Sequence, residues 1–355
     1  MANALDYISW RGDLTFDRAP VNELDIFLFS QIIAADYTGI LKEKIGPVPL
    51  REVACRYFEN HTEDKKNLGL LQSESVLPSL KKMASAARYK NLRLGRYICR
   101  IRTSLTEQFC AFTVEDPGNF ICIVFQGTDD TIIGWKEDFE LASRDIVPSQ
   151  LDAVKYLNNA VNASDAPKVY ICGHSKGGNL SLYSAVNADS AVRARITTAV
   201  SFDGPGFRDE FFENDNYREM EKRLVTVLSN YSTVGLLLRL AGRRVIVKSG
   251  AKGPMAHDGF CWEVMGPKFI KTTKLSNSSQ KFDRVLDDIL LNMDEEARLD
   301  FTDEMFSILL STGAETITDL TNLSFREKTE LLRDIGQSPK LSAFLKQALS
   351  SFFNT

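Results

Sequence analysis

The pattern Gly-x-Ser-x-Gly at residues 173–177 constrains this chain more than any other feature. An apolar, strand-like run at 168–172 precedes it and a helix-like segment at 178–188 follows it. The two glycines lack the Cβ atoms that would clash in a tight strand-to-helix turn, and the serine hydroxyl is thereby presented above the sheet. The helix N-terminus points N–H groups at the place where an oxyanion would form. A phosphate cradle or an ordinary turn is the alternative, but P-loop spacing is not met. The segment therefore predicts a nucleophile elbow with Ser175 as nucleophile.

A histidine base must be chosen from only three candidates, His61, His174 and His257. His61 lies in a polar segment far upstream of the elbow. His174 adjoins the serine, and side chains on either side of an elbow nucleophile point away from it. His257 alone follows Ser175, in a glycine- and proline-rich loop after a predicted strand. Because such hydrolases present their triad in the order serine, acid, histidine, the sequence predicts His257 as the base.

The acid is predicted to be Asp203, which directly follows the predicted strand 196–202. The carboxyl ends of parallel strands lie at one edge of a sheet, so this carboxylate is expected beside the elbow. A turn-capping aspartate is the alternative interpretation, since Asp-Gly is common in turns. The loop after the next strand, 229–234, contains no acid. Asp258 adjoins the base and would reach its inner nitrogen with difficulty, and an acid elsewhere, or none, also stays open.

The oxyanion hole is predicted at the end of the apolar run 120–126. Gly127 lets the backbone approach a ligand, and Thr128 offers both an N–H and a hydroxyl. The second donor is expected to be the backbone N–H of Lys176, the residue after the nucleophile. An unremarkable turn is the alternative. The helix that follows carries three residues that are predicted to shape this loop and to take no part in the reaction: Trp135, Glu137 and Asp138.

Three β-rich runs at 97–104, 108–114 and 120–125 predict an antiparallel start to a sheet. Strands and helices then alternate up to about residue 266, which predicts parallel strands joined by helical crossovers. The fold class is therefore α/β, with a mixed, mostly parallel sheet flanked by helices. Beyond residue 266 strands are expected to stop and helices to continue, at 282–293, 295–310, 316–320, 325–335 and 341–352. The 355 residues are divided into a catalytic domain at 1–265 and a helical C-terminal extension at 266–355.

Two of these motifs, at 125–128 and 173–178, resemble those of the class 3 lipases, in which a strand ending in F-R-G-T or F-R-G-S precedes a G-H-S-L-G-G elbow. A closer resemblance is to a bacterial lipase-like family, called Mbeg-like, over roughly residues 1–265. The matching segments are 7–13, 127–130, 134–138, 173–179, 202–207 and 257–258. The resemblance implies an α/β-hydrolase fold and a serine hydrolase, without implying a particular substrate.

Three positions depart from the class 3 pattern. Gln126 replaces an arginine and Lys176 replaces a leucine, and these two replacements disfavour an apolar site for triglycerides. The aspartate that those lipases carry after a later strand is absent near residues 231–233, and this absence makes Asp203 the substitute acid.

Composition excludes several other classes of protein. The chain has 43 Lys and Arg against 47 Asp and Glu, a net charge of −4 that disfavours nucleic-acid binding. No run of 18 apolar residues and no basic leader is present, so neither a membrane span nor a signal peptide is expected. The six scattered cysteines form no C-x-x-C pair and are interpreted as reduced thiols of a cytoplasmic protein. A metal site is not expected.

The sequence thus predicts a serine hydrolase that cleaves a small-molecule ester or an acyl lipid, without a metal or organic cofactor. A hydrolase-fold protein that binds a ligand or partner with little turnover is the alternative, and thioesterase or peptidase activity is a further one. Residues 234–241 form an apolar run that indicates a helix, and either this run or residues 206–223 could form a lid or serve as an ordinary crossover.

Overall fold

The computed structural model describes residues 1–43, 46–61, 68, 72–277, 279 and 294–342. Its centre is a sheet to which nine strands contribute within these residues, in the order β1-β2-β3-β4-β5-β6-β7-β8-β11. The strands of the chain are β1 Val48–Pro49, β2 Arg93–Arg102, β3 Glu107–Asp116, β4 Phe120–Phe125, β5 Val169–His174, β6 Ile196–Phe202, β7 Leu224–Ser229, β8 Arg243–Val247, β9 Val264–Met265, β10 Lys268–Phe269 and β11 Lys271–Thr272. Strands β4 to β8 pair in parallel, whereas β1 to β4 pair antiparallel and β11 closes the far edge antiparallel to β8.

Helices cover both faces of the sheet, and the alternation of side chains along β4 shows how. Cys122 and Val124 enter one core, which helices of the N-terminal region complete. Ile121, Ile123 and Phe125 enter the other core, against helices from the middle of the chain. Every residue of β4 is buried, as expected for a strand covered on both faces.

The helices have the following bounds within the described residues. They are α1 Ala4–Arg11, α2 Glu23–Ile32, α3 Leu50–Asn60, α4 Val76–Ser85, α5 Ile132–Glu140, α6 Pro148–Asn162, α7 Lys176–Asn187, α8 Ser190–Arg195, α9 Glu210–Glu213, α10 Asp215–Met220, α11 Glu295–Ser311, α12 Ile317–Asn322 and α13 Phe325–Gln337. None of them combines the length and apolar character that crossing a membrane would require.

The mixed sheet, its flanking helices and the serine at a strand-to-helix turn make up the α/β-hydrolase architecture, which confirms the predicted fold class. Two local expectations were wrong. Strands do not stop at residue 266, because β10 and β11 follow, and β11 gains its hydrogen bonds from the sheet edge at β8. Within 234–241 no α-helix forms; there is a short 3-10 turn at Val234–Leu236 and an isolated β-bridge from Arg239 to Phe207.

The predicted helix at 282–293 and most of the one at 341–352 fall outside the described residues. The other predicted C-terminal helices correspond to α11, α12 and α13. The division of the chain at residue 265 stays a prediction.

Candidate active site

Ser175 occupies a strained turn between β5 and α7, with φ 57° and ψ −132°. The turn is so tight that a Cβ on Gly173 would lie 2.1 Å from the carbonyl oxygen of Gly177. A Cβ on Gly177 would in turn lie 2.2 Å from the Phe125 oxygen, so β5 and β4 leave room for hydrogen only. The backbone N–H of Ser175 donates to the Phe202 oxygen at 3.0 Å, which fixes the turn to the end of β6.

The loop after β4, residues 126–131, passes directly beside Ser175 and is called the oxyanion loop below, after the role predicted for it. A Cβ on Gly127 would lie 3.1 Å from Ser175 Cβ and 2.7 Å from the His174 carbonyl oxygen. Glycine at position 127 therefore allows the loop backbone to approach the serine closely. The structure brings together the two segments from which the oxyanion donors were predicted.

Asp203 and His257 form a direct pair at the same edge of the sheet. His257 Nδ1 lies 2.7 Å from Asp203 Oδ2, and the carboxylate is fully buried. A carboxylate accepts, so Nδ1 donates and Nε2 is the nitrogen left to receive a proton. The other oxygen, Oδ1, accepts from Ser232 Oγ at 2.5 Å. Asp203 itself has φ 51°, and its N–H donates to the Val227 oxygen at 2.7 Å.

Asp258 is engaged elsewhere. Its Oδ2 accepts from Ser73 Oγ at 2.8 Å, and its Oδ1 accepts from the N–H of Phe260 at 2.9 Å. The structure therefore brings Asp203, not Asp258, to the ring of His257.

The loop that carries His257, a 3-10 turn over Gly253–His257, is held by the other histidine of the site. His174 Nε2 lies 2.8 Å from the His257 carbonyl oxygen and donates to it, and the two rings are 4.5 Å apart. Burial, and secondarily the nearby His257, lower the pKa of His174 to about 3. His174 is thus a neutral donor throughout the physiological range. Among the described residues, no hydrogen bond joins the Ser175 hydroxyl to the His257 ring, and such bonds are commonly long in enzymes free of substrate.

Thr128 is held by an acid of α5 that was expected to act as scaffold. Its hydroxyl donates to Asp138 Oδ2, and its carbonyl oxygen accepts from Gln72 Nε2 at 3.1 Å. Burial raises the pKa of Asp138 to about 6, against the opposing effects of Lys176 and the Thr128 hydroxyl. Asp138 Oδ1 is buried and makes no hydrogen bond within the described chain.

The side chain of Lys176 is fully buried and makes an ion pair. Its Nζ donates to Glu137 Oε2 at 3.0 Å and to the Gln108 oxygen at 2.9 Å. Burial alone would lower the pKa of Lys176, but Glu137 and Asp138 outweigh it and raise the pKa, so the ammonium stays charged. Glu137 also accepts the backbone N–H groups of Gln108 at 3.0 Å and of Ser149 at 2.9 Å. These bonds fix the side chain of Lys176 to β3 and α5.

Sequence reasoning missed three supporting residues, Ser232, Glu137 as the lysine's partner, and Gln72. A lysine next to a buried elbow did carry a signal, because a charge in that position requires a nearby acid. Within the described residues, no group of three or more His, Cys, Asp or Glu side chains could hold a metal ion.

Fold and site together define a protein of the α/β-hydrolase class, with Ser175 in the strand-to-helix turn and a His257–Asp203 pair at the same edge of the sheet. A family model described as Mbeg1-like matches residues 83–307, more than half of the chain. The chain therefore belongs to the Mbeg1-like family, as its motifs had suggested. No curated protein matches the sequence. A crystal structure of M37 lipase is similar at a TM-score of 0.37 and 15% identity, covering 59% of this chain and 68% of that one.

Proposed function

We propose that this protein is a serine hydrolase that cleaves carboxylic esters, with Ser175, His257 and Asp203 as its triad. The observation that carries the proposal is the 2.7 Å contact between His257 Nδ1 and a fully buried Asp203, beside the turn that presents Ser175. A buried carboxylate on the inner nitrogen fixes the ring tautomer and stabilises the imidazolium that forms when the ring accepts a proton.

The reaction follows from these positions. His257 Nε2 takes the proton of Ser175 Oγ as that oxygen attacks the ester carbonyl carbon. The negative charge that develops on the carbonyl oxygen is bound by the N–H groups of Thr128 and Lys176. The imidazolium returns the proton to the leaving alcohol, and the acyl group remains on Ser175. Water, deprotonated by His257, then hydrolyses the acyl-enzyme and releases the acid.

Lys176 contributes its backbone N–H while its side chain is committed to Glu137. The ammonium is therefore not a group that binds substrate in this proposal. The substrate is a small-molecule ester or an acyl lipid, and the reaction needs no metal or organic cofactor.

The proposed location is the cytoplasm. All six cysteines are free, and three of them, Cys110, Cys122 and Cys172, are buried in the sheet. The Sγ atoms of Cys122 and Cys172 are 3.6 Å apart and not bonded covalently. Adjacent thiols that stay reduced suit a reducing compartment.

A fluorophosphonate probe tests the activity, because it reacts only with a serine that an adjacent base activates. We expect the adduct on Ser175 by peptide mass spectrometry, and its loss in the Ser175→Ala and His257→Ala variants. Ser9→Ala, an exposed serine of α1, should label like the unaltered protein. If Ser175 stays unlabelled while a reference serine hydrolase reacts in the same tube, the proposal fails and a ligand-binding role without turnover takes its place.

A further inference from the structure

Helix α5 lies between the oxyanion residues and the C-terminal helices. Its Glu137 holds Lys176 and its Asp138 holds Thr128. The residues that contact the C-terminal helices lie on the other side of the helix, at spacings of three or four residues: Ile132, Trp135, Lys136 and Phe139. A displacement of α5 would therefore move both predicted oxyanion donors at once.

The polypeptide just before and within α12 is hydrogen-bonded to the oxyanion loop itself. The N–H of Ile317 donates to the Asp130 carbonyl oxygen at 2.8 Å, and the N–H of Thr318 donates to Asp130 Oδ2 at 3.2 Å. In the opposite direction, the N–H of Ile132 donates to the Glu315 oxygen at 2.9 Å. These bonds join the end of the loop and the first residue of α5 to the single segment 315–318.

Side chains of α11 add an apolar and an ionic contact to the same helix. The Phe306 ring meets Phe139 edge-on, with centroids 5.4 Å apart. Lys136 Nζ pairs with Asp303 Oδ1 at 2.7 Å. The buried members of this apolar cluster are Ile132, Phe306 and Ala314.

The family model ends at residue 307, so the residues that bond to Asp130 lie beyond the matched part of the chain. The contact with α5 thus continues past the region that this protein shares with its family model.

We propose that the C-terminal segment 303–318 braces the oxyanion loop, and that Phe306 and Ile317 are positioning residues for the reaction. The inference rests on the proposed hydrolase function. Surface loops open more readily than the elements they join, whereas an oxyanion hole must hold its donors in place before charge develops. The hydrogen bonds and the apolar cluster supply that restraint from outside the catalytic core.

Three substitutions on α11 test whether this helix restrains the oxyanion loop or only packs against α5. Phe306→Ala removes the ring that contacts Phe139, and Phe306→Leu keeps most of its volume. Leu310→Ala is the matched control, because this leucine is on the same helix, is 37% exposed and lies outside the apolar cluster.

We expect Phe306→Ala to lower kcat for a p-nitrophenyl ester by about tenfold to a hundredfold and to change KM by less than about twofold. The reason is that misplaced donors weaken binding of the transition state but not binding of the substrate. Hydrogen exchange of the amides in 127–138 should become faster in the same variant. Phe306→Leu should restore most of both properties, and Leu310→Ala should leave both unchanged. If Phe306→Ala does not fold, Ile317→Pro takes its place, since the first helical position tolerates proline and only its N–H bond and side chain are lost.

Unaltered kcat and unaltered exchange at 127–138 in a folded Phe306→Ala or Ile317→Pro variant would overturn the brace. Faster exchange without any loss of kcat would also overturn it, because the contact would then be structural only. If the unaltered protein neither turns over esters nor reacts with fluorophosphonate, it is the hydrolase proposal that fails, and with it the catalytic role of the brace. The exchange rates still show whether the segment restrains the loop.

Discussion

His174 donates through Nε2 to the backbone carbonyl oxygen of His257 at 2.8 Å. This bond joins the residue before Ser175 to the main chain of His257, so the turn at Ser175 also holds the loop that carries the His257 imidazole.

Replacing His174 by alanine should lower kcat by about tenfold to a hundredfold while KM changes little, because the base loses an anchor without any loss of a substrate contact. The measurement is steady-state ester hydrolysis, with His61→Ala as the control. His61 follows the last residue of α3, where its Nδ1 lies 2.8 Å from the Tyr57 oxygen. A His174→Ala enzyme with unaltered kcat would show that the loop holds its position without this bond.

Replacing Asp203 by asparagine should lower kcat by about four orders of magnitude, since the amide favours the wrong ring tautomer of His257. The matched control is Asp258→Asn, which alters the carboxylate adjacent in sequence to the base and bonded to Ser73. The control should cost less than about tenfold. If Asp258→Asn causes the large loss of kcat and Asp203→Asn the small one, Asp258 is the acid.

Replacing Lys176 by methionine should reduce the free energy of unfolding by about 3–5 kcal/mol, because Glu137 is left as a buried charge without its cation. The backbone N–H is kept, so oxyanion binding loses no donor. Urea unfolding provides the measurement, and Lys155→Met, at a lysine whose side chain is 73% exposed, is the control. A loss below about 1 kcal/mol would mean that the pairing of Lys176 with Glu137 does not stabilise the fold.

The raised pKa of Asp138 predicts that the stability of the protein depends on pH. Burial raises its pKa to about 6 from an ordinary value of 3.8, so in this window the folded protein keeps a proton that the unfolded chain has lost. The free energy of unfolding therefore falls as pH rises from about 4 to about 6, by about 3 kcal/mol from this group. Urea unfolding over this range should show the fall in the unaltered protein relative to Asp138→Asn.

The exposed Asp145→Asn is the control for that comparison and should keep the unaltered slope. If the free energy of unfolding depends on pH in the same way in the unaltered protein and in Asp138→Asn, the raised pKa of Asp138 is contradicted. An acid with a lowered pKa would give the opposite sign, with stability rising over a lower pH range.

The sequence was informative where the chemistry depends on neighbours along the chain. The turn at Ser175 needs glycines two residues away on each side, and the end of β6 places Asp203 at the edge of the sheet. His257 followed from the order of the triad and from the scarcity of histidine. The roles assigned to these residues stay predictions until activity is measured.

What could not be predicted depends on contacts between distant segments. The pairing of Lys176 with Glu137 spans 39 positions, and only the approach of α5 to the elbow brings the two together. Ser232 lies in a loop that contains no acid, and a hydroxyl that hydrogen-bonds to a distant carboxylate leaves no recognisable pattern in the sequence. The apolar run at 234–241 indicated a helix, yet no α-helix forms there.

The bonds between residues 315–318 and the oxyanion loop have a consequence for the order of synthesis. A ribosome delivers the chain from its N-terminus, and domains fold as they emerge. A nascent chain that has reached residue 300 already carries Ser175, Asp203 and His257, but the partners of Asp130 are still to be translated. On the proposed mechanism, full hydrolytic activity would therefore arise only after residues 315–318 have left the ribosome and bonded to the oxyanion loop.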